Sequence, residues 1–146
     1  MSPREIFALR DYLDPGLKGR TLSDARHAAS LTELSDYTCL KGRLAELSGR
    51  SVLLAVSSQF LASLVMLEID GIARRMLLCP PDLNADNLQA IIEDAEIDAV
   101  VTDQPERFAA SEISLIVTAS EELKAAPRGR LRARTDNPRE RSTELL

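Results

Sequence analysis

The chain has no tryptophan, and aromatic residues make up only 3% of its 146 positions. A surface that stacks nucleic-acid bases or sugar rings has little to be built from. Cysteine and histidine are equally sparse, with Cys39, Cys79 and the single His27. The two thiols stand forty residues apart, and no CxxC, HxxxH or HExxH spacing occurs, so neither a zinc site nor a redox pair is expected. Both cysteines fall in apolar segments and are expected as buried free thiols. The six glycines are scattered, and neither GxGxxG nor GxxxxGK followed by Ser or Thr appears, which excludes the common phosphate-cradling loops. No apolar run approaches the roughly 20 residues of a membrane-spanning helix. A net charge of −5 disfavours nucleic acid as a partner. The start, Met1-Ser2-Pro3-Arg4-Glu5, lacks the apolar core of a secretory signal, so a cytoplasmic location is expected.

What is present is 45% hydrophobic and 28% charged residues, enough for one core. Ile6, Leu9 and Leu13 share a face in a short helix expected over Pro3–Leu13, which Asp14-Pro15-Gly16 ends. Leu17–Ser30 has no sustained period and reads as irregular or short helical. From Leu31, the spacing of Leu34, Tyr37, Leu40, Leu44 and Leu47 predicts a helix capped by Thr32 and stopped by Gly49. The unalternating run Ser51–Val56 suits a strand covered on both faces. An apolar helix over Gln59–Ile69, closed by Asp70-Gly71, follows. A second strand, Met76–Cys79, ends at Pro80-Pro81. Asn84 then caps a helix with Leu83 and Leu88 as a hydrophobic staple and Leu88, Ile91, Ile92 and Ala95 as its stripe. Asp86, Glu93, Asp94 and Glu96 fall on its solvated side. Strands over Asp98–Thr102 and Ile113–Thr118 complete the alternation.

This order predicts an α/β fold, a mainly parallel sheet with helices on both faces. Three parts are expected: an N-terminal helix and lead-in over 1–30, an α/β subdomain over 31–120 and an arginine-rich linker or tail over 121–146. Glu121–Leu146 holds seven basic and five acidic residues, on a chain that is acidic as a whole. Its arginines from Arg128 to Arg141, broken by Gly129 and Pro138, read first as a solvated linker. The other reading is a row of guanidinium groups facing phosphate or a carboxylate surface. Arg74-Arg75 and Glu93-Asp94 are expected to face solvent, and Glu33 and Asp36 to answer a helix dipole. In a parallel sheet a ligand crevice lies beyond the strands' carboxyl ends. By position alone that nominates Ser57, Ser58, Cys79–Asp82, Asp103, Gln104 and Thr118–Ser120. His27 sits in an unpatterned stretch, and spacing assigns it no nucleophile or carboxylate, so it is not expected to be a general base.

The succession from Thr32 through Leu47-Ser48-Gly49-Arg50-Ser51-Val52-Leu53-Leu54, Gln59-Phe60-Leu61-Ala62-Ser63-Leu64 and Asp70–Leu83 resembles the N-terminal portion of AMP-forming acyl-CoA synthetases and related adenylate-forming ligases. Leu88–Ala95 and Ala99–Asp103 are similar to that family's next helix and strand, so the resemblance spans about Leu31 to Asp103. It implies an early α/β subdomain that packs against later ones. Ser142–Leu146 resembles the strand that leads, in relatives, to a Ser/Thr/Gly-rich phosphate loop. That loop, the adenine-contacting aromatic motif, the ribose-binding aspartate and the catalytic lysine have no counterpart among these residues. The resemblance therefore assigns no catalytic, cofactor-binding or metal-binding residue here. It implies a fragment or truncated paralogue of an acid:CoA ligase, inactive alone, with ATP, magnesium and coenzyme A belonging to the full-length family. Expected partners are the remaining ligase subdomains or a second copy, through exposed apolar surface. The alternative is a non-catalytic α/β binding or assembly module. A receiver- or flavodoxin-like identity suits the element order but lacks an acidic pair after the first strand, where Ser57-Ser58 stands.

Overall fold

A computed structural model of the protein describes residues 19–31, 34, 37–125 and 143–146. The helix expected over Pro3–Leu13, the Thr32 cap with Glu33 and Asp36, and the arginines from Arg128 to Arg141 lie outside the described residues.

The unbroken apolar run forms β4 (Ser51–Ala55), all five residues of which are buried. Complete burial requires a layer on each face, and the flanking helices supply them. The next elements are α1 (Gln59–Ile69), β5 (Arg75–Leu78), α2 (Ala85–Asp94), β6 (Ala99–Thr102) and β7 (Leu115–Thr118). Together with β9 (Glu144–Leu145) the strands form one five-stranded sheet in the order β7-β6-β4-β5-β9. Every pairing in it is parallel, with Leu54 opposite Leu78 on one side and Val101 on the other. Val52, Leu54 and Val101 turn to one face and pack with Phe60, Leu61, Leu64 and Val65 of α1. Leu53, Ala55 and Val100 turn to the other and pack with Leu88 of α2, Ile97 and Phe108. This is the expected α/β arrangement with helices on both faces.

Local chemistry explains the boundaries. Ser58 caps α1, its hydroxyl accepting from the Leu61 N–H, and Asn84 caps α2 by accepting from Asn87. Gly49 and Gly71 take φ of +71° and +79°, the left-handed stops that a Cβ would strain. Asp86, Glu93, Asp94 and Glu96 are exposed, as the stripe of α2 demands. Strands β5, β6 and β7 begin or end one or two residues from the expected limits.

Three expectations are corrected. The stretch beyond Leu31 is not one helix: Tyr37–Thr38 is a strand, β3, paired antiparallel with β8 (Lys124–Ala125), and Leu44–Leu47 is a single 3-10 turn. Lys41 and Gly42 lie between them with φ of +54° and +81°, a conformation no α-helix passes through. The leucine spacing is satisfied by a loop whose Leu40 and Leu47 are fully buried. Within Leu17–Ser30 the structure places a hairpin, β1 (Thr21–Ser23) and β2 (Ala28–Ser30), with Leu22 and Ala29 on the α1-side core. Arg75 does not simply face solvent. It is half-buried, donating from Nε to Glu144 at 2.8 Å and from Nη1 to the Ala95 carbonyl at 3.1 Å, whereas Arg74 is exposed.

Both cysteines are free thiols, Cys39 buried and Cys79 half-buried. Burial, then the Glu68 carboxylate 3.1 Å from its sulfur, pushes the Cys39 thiol far up. Burial also raises Cys79, against a smaller opposing pull from Arg107. Cys39 is thus a protonated donor. In the native protein its labelling by a thiol reagent should be about a thousandfold or more slower than in urea, because attack waits for core opening. Cys79 should label first. Peptide mass spectrometry over a labelling time course separates the two, and equal native rates would contradict the burial of Cys39.

Candidate functional site

Sheet order alone marks one place on this fold. After β4 the chain crosses to β5 by α1, whereas after β5 it crosses behind β4 to β6 by α2, so the crossovers diverge between β4 and β6. The carboxyl ends of those two strands form the topological switch point, where open α/β sheets bind ligands. Ser57 follows β4 there and Asp103 follows β6. The structure joins them: the Ser57 N–H lies 3.1 and 3.2 Å from the two Asp103 oxygens, and its hydroxyl donates to the same carboxylate.

A second carboxylate acts on the adjacent serine. Ser58 Oγ donates to Glu121 Oε1 at 2.6 Å while accepting the Leu61 N–H at 3.1 Å, which fixes the capping hydroxyl from both sides. Glu121 Oε2 is 2.8 Å from His27 Nε2. The other ring nitrogen, Nδ1, is 3.2 Å from Asp24 Oδ1, and the ring stacks on Phe60 with centroids 5.4 Å apart and planes 17° from parallel. Asp24 orders the turn between β1 and β2 by accepting the Arg26 and His27 N–H groups at 2.8 and 2.6 Å. The Arg26 N–H first, with the His27 contacts adding to it, holds the Asp24 carboxyl below its ordinary range. These groups line an open cleft of about 540 Å³ between the hairpin turn, the amino end of α1 and Glu121.

The position-based nominations divide accordingly. Ser57 and Ser58 line the cleft, and Asp103 reaches it through Ser57. Cys79–Asp82, Gln104 and Thr118–Ser120 do not line it. Ser120 instead ties the end of β7 to the Cys39 carbonyl at 2.9 Å. Sequence reasoning missed Asp24, Glu121 and the place of His27. The Asp24-Ala25-Arg26-His27 spacing carried a signal for the turn, an aspartate accepting from backbone two and three residues on. Nothing local pointed to Glu121. Among the described residues no group of three or more His, Cys, Asp or Glu side chains is placed to hold a metal ion.

The arrangement is chemically one-sided. The amino end of a helix at a switch point is ordinarily where an anion is received. Here the Asp103 carboxylate already takes the Ser57 N–H and hydroxyl, and Glu121 the Ser58 hydroxyl. His27 is bracketed by carboxylates, and neither serine hydroxyl hydrogen-bonds to it, so no activated nucleophile is assembled.

No family model and no curated protein matches the chain. Solved structures do. The N-terminal subdomain of Klebsiella oxytoca NpsA in complex with 3-hydroxybenzoyl-AMSN aligns over 75% of this chain with a TM-score of 0.59 and 13% identity. The same subdomain in space group P21 aligns over 84% with a TM-score of 0.62 and 12% identity. IdnL1 aligns over 88% with a TM-score of 0.56 and 16% identity. The chain spans about a third of the length of these structures, 29%, 36% and 29% respectively. With its parallel sheet and two covering helices, the chain has an α/β fold similar to part of the NpsA N-terminal subdomain.

Proposed function

We propose that the chain is the scaffold part of an AMP-forming acid ligase of the acyl-CoA synthetase kind, cytoplasmic, and that it forms no acyl-adenylate by itself. The observation that carries this reading is the pair of carboxylates at the switch point. Adenylation brings a carboxylate against the α-phosphate of ATP and needs amides, cations and magnesium directed at the developing charge. At the carboxyl end of this sheet the Ser57 N–H and hydroxyl and the Ser58 hydroxyl are held by Asp103 and Glu121, and the two negative charges repel a triphosphate. On this reading ATP, magnesium and coenzyme A bind to the remaining ligase subdomains. Exposed Leu78, Leu145 and Leu146 at the β5–β9 edge support such subdomains as partners.

The test is ATP–pyrophosphate exchange and hydroxamate trapping with the full chain over a panel of aromatic and aliphatic acids. The expected result is no exchange above an enzyme-free blank. Acid-dependent exchange, or an acyl-hydroxamate, would refute the scaffold role. Reading the coding sequence downstream of the Leu146 codon tests the same reading differently, by the presence of a Ser/Thr/Gly-rich phosphate loop.

A further inference from the structure

The His27 ring meets an acidic oxygen at each nitrogen, Asp24 at 3.2 Å and Glu121 at 2.8 Å. An ionised carboxylate only accepts, and a neutral imidazole has a single N–H to give. Only the doubly protonated ring can donate to both partners. We propose that His27 is a proton-operated clasp that fastens the β1–β2 turn over the cleft to the amino end of α1, and that loss of its proton loosens the turn.

The two partners cannot easily swing away when the proton leaves. Asp24 is held by the Arg26 and His27 N–H groups, and Glu121 by the Ser58 hydroxyl. A neutral ring therefore keeps one hydrogen bond and turns a lone pair toward the other carboxylate. The charged groups around the ring come from every neighbouring element. The hairpin turn gives Asp24 and Arg26, the segment after β7 gives Glu121 with exposed Glu122 next to it, and Asp103 after β6 stands behind Ser57; the amino end of α1 adds Ser58, Gln59 and Phe60, none of them charged. Stacking on Phe60 keeps the ring in place in either state, so the change falls on the turn and not on the core. The His27 side chain is 39% exposed, so protons reach it freely and the effect is moderated by solvent.

His27 is the chain's only histidine, so the His27→Gln variant separates its contribution from that of any other group titrating in this range, the α-amino group included. The experiment follows amide hydrogen exchange in the full chain, corrected for intrinsic base catalysis. The probes are the Leu31 N–H, bonded to the Arg20 carbonyl at 3.0 Å, and the Asp24 N–H, bonded to the His27 carbonyl at 2.9 Å. The amide of Val100 in the buried sheet serves as reference. Protection of the hairpin amides should fall about three- to fivefold from pH 6 to pH 8 relative to Val100. His27→Gln should remove that dependence. Glu121→Gln should remove or invert it, because the new amide N–H can donate to the unprotonated nitrogen while its oxygen still serves Ser58. Unchanged Val100 protection shows that each variant folds. A flat wild-type profile overturns the clasp, as does a full fall retained in Glu121→Gln.

Discussion

Phe108→Ala is expected to lose about 3–5 kcal/mol of stability, a large share of what a domain of this size possesses. The ring is only 1% exposed and packs among Leu53, Ala55, Leu88, Ile97 and Val100, so it joins the sheet to α2. It ends the 3-10 turn Pro105–Phe108, whose tight geometry leaves little freedom to collapse into the vacated volume. A cavity there also frees the segment that follows Asp103, the carboxylate that holds Ser57 at the switch point. Urea unfolding followed by circular dichroism measures the change. With a slope of about 1–3 kcal/mol per molar urea, the midpoint should drop by at least about 1 M. A loss under about 1 kcal/mol would mean that the α2 face is not a close-packed layer.

The sheet was legible in the sequence because burial on two faces leaves a distinctive mark. Val52-Leu53-Leu54 has no polar residue to alternate with, and a strand so composed needs neighbours on both sides. Helix α2 was equally legible, since its cap, staple and stripe are all local and agree with one another. The Leu31–Leu47 stretch misled for a physical reason. Leucines three and four apart also arise when a loop buries each one separately, and Leu40 and Leu47 do so on either side of the Lys41-Gly42 turn. Gly42 was the available warning, a residue that lowers helix stability and permits positive φ. The cleft was the least legible part. Its Ser57 and Ser58 follow from topology, but His27 and Glu121 come together only because the hairpin packs Leu22 and Ala29 on the α1 side and β7 delivers Glu121 beside Ser58. Such contacts between distant segments leave no periodic trace.

The same long-range logic governs how the loop after β3 is fixed, and there the second large effect is expected. Glu68 on α1 accepts from the Thr38 hydroxyl with one oxygen; the other, at 2.9 and 3.1 Å, accepts the Cys39 N–H and thiol. Thr38 Oγ1 in turn accepts the Leu40 N–H at 3.0 Å, so one carboxylate organises the polar groups of three successive, buried residues. Glu68→Leu keeps the bulk and helix preference but leaves the Cys39 N–H and the Thr38 hydroxyl, on two buried residues beside the half-buried Glu68, without their acceptor. Each such group costs about 1–3 kcal/mol, so a total loss of about 2–4 kcal/mol is expected. Glu68→Gln should lose roughly half as much, because its one carbonyl oxygen can still accept from the Cys39 N–H. Urea unfolding gives both values. The labelling rate of Cys39 adds an independent reading, since a loosened loop exposes that thiol before the sheet opens. A Glu68→Leu protein as stable as the parent, with Cys39 still protected, would show that packing of Leu40 and Leu47 holds the loop without the carboxylate.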